Sequence, residues 1–119
     1  MHVDKVVAFT GILAQNPDDA FARYGLAVEY GQRGETALAL QQFDELHRRH
    51  PDYTPGYQMA AQTLISMGNA SEAEMRLHAG IASARRSGNR HALAEMEDML
   101  DELQGHASPN FGDGSLEQE

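Results

Sequence analysis

The sequence predicts an all-α protein built from antiparallel helix hairpins, about five helices in all. Three observations carry that prediction. Apolar residues recur at helical spacing through most of the chain. Glycine and proline clusters interrupt them at regular intervals. Residues 34 positions apart match in type: Gly34 with Gly68, Pro17 with Pro51, Phe9 with Phe43.

The chain is organised around Asp18 to Pro51, two helices hinged at Gly34. Asp18, after Pro17, is the expected N-cap of the first. Gly34 gives the turn its backbone freedom, and Pro51 closes the second helix. The first helix is apolar on two faces, Ala22, Leu26 and Tyr30 on one and Phe21, Tyr24 and Val28 roughly opposite. A helix with two apolar stripes needs a second neighbour or a ligand. Glu35 to His50 is the second helix. Its Ala39 is small enough for a close helix crossing, and Phe43 and Leu46 continue the stripe.

Leu26-Ala27, Tyr30, Gly34, Ala39, Phe43 and Pro51 fall at the spacing of the tetratricopeptide repeat (TPR), and the stretch resembles that 34-residue unit. Arg23 stands where the family usually has Trp, with Phe21 or Tyr24 the candidates to supply the missing bulk. The resemblance implies a right-handed superhelix of helix hairpins, an α-α solenoid. In that family the first helix of each pair lines the concave face.

Residues 4–16 read as an N-terminal half unit. Val6, Phe9 and Leu13 share a face with Ile12 beside it, and Phe9, Ile12 and Pro17 stand 34 residues before Phe43, Leu46 and Pro51. An unrelated N-terminal cap is the alternative, and both readings set Phe9 against the next helix. Repeat 1 spans 18–51. A breaker cluster from His50 to Gly56 leads into repeat 2, over 52–87. There Tyr57 takes the Trp place, and Ala60-Ala61, Leu64, Gly68, Ala73 and Leu77 follow at the family spacing. Asn69 with Glu72 reads as a capping box and Gly88 as a C-terminal cap. Arg85 replaces the family's closing Pro, so this helix is expected to run to about Ser87. A capping helix follows over 89–104. Ala92, Met96, Met99 and Leu103 form its inner stripe, and Glu95, Glu97, Asp98, Asp101 and Glu102 give the polar outer face a terminal repeat needs. Residues 1–104 thus make one helical domain, and 105–119 read as a disordered acidic tail.

Composition narrows the function. The net charge is −9, yet residues 1–90 are nearly balanced while 91–119 hold eight acids and no Lys or Arg. Phosphate contacts need clustered bases, so no nucleic-acid partner is expected. No apolar stretch approaches the roughly 20 residues that span a bilayer, so no membrane partner is expected either. The N-terminus lacks the pattern of a signal peptide, and there is no cysteine. The expected localisation is cytoplasmic.

No constellation points to catalysis. His47 and His50 share a helix face, but a metal would need a further ligand. With Arg48 and Arg49 they read as a basic last turn that complements the helix dipole. Asp18-Asp19 reads as a helix start rather than a hydrolytic pair. No glycine-rich phosphate loop appears, and no cofactor or metal is expected. Met59, Met67, Met75, Met96 and Met99 either fill core gaps or form an adaptable surface.

The expected function is a non-catalytic protein–protein interaction adaptor or scaffold. By the resemblance, Phe21, Tyr24 and Val28 from repeat 1 and Gln58, Gln62 and Ile65 from repeat 2 line the concave groove. Aromatic and amide side chains there suit a peptide or protein segment. Packing of Phe21 and Tyr24 on the N-terminal helix is the alternative. One TPR subclass clamps chaperone C-termini with Lys and Asn; Tyr24, Val28, Gln58 and Gln62 stand at those places, so that activity is not carried over. The alternative function is a homo-oligomeric module or an accessory subunit, because a short stack has exposed ends.

Overall fold

The computed structural model describes residues 4–105, so the tail expected over 105–119 lies, apart from Gly105, outside the described residues. Six helices follow in chain order: α1 (Lys5–Gln15), α2 (Ala20–Gln32), α3 (Thr36–Arg49), α4 (Thr54–Ser66), α5 (Ala70–Ser87) and α6 (Arg90–Leu103). The half unit, two hairpins and cap come to six helices rather than about five. The described residues contain no strand.

Each helix packs on the next in sequence, and α4 also touches α2 and α6. The stack is elongated, 59 × 31 × 26 Å, with a radius of gyration of 16.4 Å. A compact chain of this length would have about 14 Å. The difference follows from a solenoid, in which each hairpin touches only its neighbours.

The turns keep the expected chemistry with one correction. Asp19 caps α2 in place of Asp18, its carboxylate accepting from the Ala22 amide at 2.9 Å. Asp18, one residue further out, pairs with Arg49 at 3.0 Å, and its carbonyl lies 2.9 Å from His50 Nε2. Asn69 and Asn89 cap α5 and α6 through their side-chain oxygens. The Glu72 carboxylate turns toward Arg76, at 3.8 Å, instead of closing the box at Asn69. Gly88 ends α5 in the left-handed conformation, as expected.

Gly34 carries the hinge with φ of 79°. That region costs an L-residue roughly 1–2 kcal/mol. Gly34→Val should therefore lower stability by about 2 kcal/mol, read as a fall in the urea midpoint. A wild-type midpoint would mean the hinge is not held in that conformation.

The core runs down the middle of the stack. Phe43, Leu46, Leu64, Leu77 and Met96 are fully buried. Phe43 joins α2, α3 and α4 through Ala27, Ala39 and Ala60. Leu77 joins α4, α5 and α6 through Ala61, Ala73, Tyr57 and Met96. The small residues let the helices approach and the large ones fill the space between. Thr54 and Ser83, both buried, satisfy each other with a hydrogen bond of 2.7 Å inside the second hairpin.

Phe43 and Leu77 thus stand as equivalent rungs. Phe9 is a weaker third: it lies against α2, as expected, but is only half-buried. Its ring sits over Gly25, where a Cβ would come within 2.4 Å. No residue of α1 is buried, because α1 has a neighbour on one side only.

Candidate functional site

The helices α2, α4 and α6 begin at equivalent caps, Asp19, Tyr53 and Asn89. Two hollows open beside them. One of about 220 Å³ lies between α1 and α2, bordered by Lys5, Phe9, Phe21, Tyr24, Val28 and Gln32. The other, about 190 Å³, lies between α2 and α4, bordered by Val28, Gln32, Met59, Gln62, Thr63 and Ser66. Val28 and Gln32 form the wall they share.

The six residues expected in the groove do not converge on one pocket. Val28 borders both hollows, Phe21 and Tyr24 the first, and Gln62 the second. Phe21 meets the Phe9 ring edge-on, centroids 6.5 Å apart, yet stays 66% exposed. Tyr24 lies 5.5 Å from the Tyr53 ring. One edge of Phe21 thus packs on α1 and the rest of the ring is open. Gln58 faces α6, donating from Nε2 to Glu95 at 3.1 Å. Ile65 is 39% exposed and borders neither hollow.

Of the two candidates for the missing bulk, Phe21 stays mostly exposed and Tyr24 packs against the first core cluster. Arg23, at the Trp place itself, donates to Gln42 on α3 and to the Pro17 carbonyl, each at 2.8 Å. Tyr57, its equivalent in the next hairpin, donates its hydroxyl to the Pro51 carbonyl at 2.7 Å. Both anchors reach the equivalent proline carbonyl of the preceding turn through a polar tip. Burial, with Arg49 nearby, holds the Arg23 guanidinium below its usual pKa. The methionines divide as well. Met96 is core and Met99 packs on it, Met59 borders the second hollow, and Met67 and Met75 are exposed.

His47 and His50 point to different partners. The His47 ring stacks on Tyr57 with centroids 3.9 Å apart. Its Nδ1 lies 3.1 Å from Arg76 Nη1, and since guanidinium only donates, Nδ1 accepts and the neutral ring carries its proton on Nε2. Among the described residues no three His, Cys, Asp or Glu side chains gather as a metal site requires. Burial, reinforced by the Arg76 charge, pushes the His47 pKa down to about 4. The unfolded chain then takes up this proton first as pH falls. The stabilisation is complete above about pH 6.5 and is lost as pH drops toward 4. Urea midpoints of the wild type should fall through that window more steeply than those of His47→Gln. Parallel profiles would contradict a buried neutral His47.

Charge differs along the row of helices. Counted from their caps, Met59, Gln62 and Ser66 of α4 are matched on α6 by Glu95, Asp98 and Glu102. Glu95 is fixed on the α4 side by Gln58 and lies 3.1 Å from His91. Glu97 and Asp101 lie on the other flank, toward α5, where Glu97 is 3.4 Å from Arg85. The acids expected to form one solvated face are split between two sides.

No family model matches the chain. A TPR repeat-containing protein of Pseudomonas aeruginosa is 26% identical to it over 92 residues, which cover 77% of this chain and 88% of that one. Among solved structures, a tetratricopeptide repeat domain protein from Salinibacter ruber is similar at a TM-score of 0.72 and 29% identity, over 77% of this chain and 93% of its own. PcrH, solved in complex with the chaperone-binding region of PopD, is similar at a TM-score of 0.79 and 19% identity, over 84% of this chain and 76% of its own. That last likeness is one of fold. The stack is the right-handed superhelix of hairpins that these relatives share.

Proposed function

We propose that this chain, which belongs to the tetratricopeptide repeat family, is a non-catalytic adaptor that holds a peptide or protein segment along α2, α4 and α6. The observation that carries the proposal is Phe21, a large aromatic left mostly exposed at the mouth of an apolar hollow. An open aromatic beside a pocket is an anchor point for a partner side chain. The complex of PcrH with a region of PopD supports the reading, because a similar fold there accommodates a segment of another protein. The groove residues are Phe21, Tyr24, Val28, Gln58, Gln62 and Ile65. The reading treats residues 1–104 as one binding unit and carries a cytoplasmic setting with it, as expected from the sequence.

An affinity pull-down would identify the segment, and titration then tests the groove. Tyr24→Ala and Gln62→Ala should each weaken binding by about tenfold relative to wild type. Undiminished affinity in both variants would remove the groove from the function.

A second reading, self-association, is favoured by α1. Val7 and Ile12 are exposed on a helix whose single charged side chain is Lys5. Sedimentation at high concentration should then show a dimer that Val7→Glu abolishes. Monomer at every concentration would end this reading.

A further inference from the structure

We infer that the segment held in this groove is apolar at one end and cationic at the other, and that its Lys or Arg residues lie against α6. The inference rests on the groove reading and adds the chemistry and direction of the occupant. The α2 end offers the apolar hollow around Phe9, Phe21 and Tyr24. Its charges are already engaged or repel a cation: Glu29 and Asp4 both pair with Arg33, at 3.1 and 2.7 Å, and Lys5 borders the hollow. The middle, on α4, is uncharged, with Gln62, Thr63 and Ser66.

At the α6 end the groove positions are Glu95, Asp98 and Glu102. Gln58 ties Glu95 to α4, which locates this row on the groove side of α6. Asp98 and Glu102 are exposed, and neither is in an ion pair among the described residues. Nothing from residue 91 onward supplies a Lys or Arg to neutralise them. An acidic segment would meet uncompensated like charge here, while a basic one gains complementary charge. Packed helices stand 8–10 Å apart, so α2 and α6 are roughly 20 Å apart. An extended segment covers that in about six residues. The apolar anchor and the basic residues of the occupant are therefore about six residues apart.

The test uses the full chain and labelled peptides, followed by fluorescence anisotropy at low and at physiological salt. The probe carries Leu-Phe at one end, a Gly-Ser spacer of about six residues, and Lys-Arg-Lys at the other, made in both chain directions. A control peptide carries Glu-Glu-Glu in place of the basic end. In at least one direction the basic peptide should bind about tenfold more tightly than the acidic one, with a preference that shrinks as salt rises. The Asp98→Asn/Glu102→Gln pair should abolish that preference. Glu74→Gln/Glu97→Gln removes the same charge from α5 and from the α5 side of α6 and should leave the preference intact.

An equal loss in both double variants would mean attraction by overall charge only, and would overturn the inference. No measurable binding of either peptide would overturn it too. Binding that Tyr24→Ala weakens but that ignores the α6 charges would leave the groove reading standing and remove this one. Binding indifferent to both changes would remove both.

Discussion

Phe43→Ala is expected to destabilise the protein by about 3–5 kcal/mol. Phe43 is fully buried at the point where α2, α3 and α4 meet. Its buried cluster holds Leu46 and three alanines, Ala27, Ala39 and Ala60, and the alanine side chains are too short to close over the lost ring. The removed atoms forfeit their transfer energy and leave a cavity that three helices cannot collapse without losing their own contacts. Whole domains are stable by only about 5–15 kcal/mol, so this one side chain carries a large share. Because the stack is held by nearest neighbours, loss at the first hairpin should also uncouple it from the second and broaden the urea transition. A wild-type midpoint would mean Phe43 is not a rung of the core.

Gly80→Val is expected to cost about 3 kcal/mol, and its sign is informative. Helix propensity alone favours replacing a glycine inside α5, by up to about 1 kcal/mol for alanine. Packing opposes it. A Cβ at Gly80 would stand 2.5 Å from Met96 Sδ and 2.6 Å from Tyr57 Cβ. The methionine tip can swing away, but Tyr57 Cβ moves only with the backbone of α4. Gly11 is the internal control, since a Cβ there meets nothing within 4 Å. Gly11→Ala should therefore stabilise the chain by about 0.5–1 kcal/mol while Gly80→Val destabilises it. Both substitutions shifting the midpoint the same way would contradict the close crossing of α4, α5 and α6.

The helix boundaries were legible because turn chemistry is local. Gly34, Gly68 and Gly88 all take the left-handed conformation that only glycine adopts easily, and two of them stand one repeat apart. What depends on a second helix was not legible. Asp18 and Asp19 are equally good caps on paper, and Asp19 takes the Ala22 amide while Asp18 pairs with Arg49 on α3. Arg23 looked like a missing anchor because a Trp is recognised by bulk, whereas the hydrogen bond to the preceding turn is what Arg23 and Tyr57 share. Gly25 and Gly80 did leave a signal. A glycine inside a helix lowers its stability and so raises the question of a close approach, which Gly25 and Gly80 have and Gly11 does not.

Which helices border the two hollows was more legible than which residues do. Each step along a helix turns a side chain by about 100°, so small errors in helix rotation decide which residues share a hollow. Gln58 sits on the expected helix yet is drawn to Glu95, a partner no local pattern reveals. The acids of α6 read as one solvated face because sequence does not show that a helix at the end of a stack has two flanks, one toward α4 and one toward α5.

The most direct measurement is a backbone NMR titration of the full chain with its bound segment. The largest shifts are expected on α2, α4 and α6, at Tyr24, Gln62 and Asp98, with α3 and α5 left nearly unchanged. Shifts centred on α3 and α5 would contradict a function carried by the concave side of the stack.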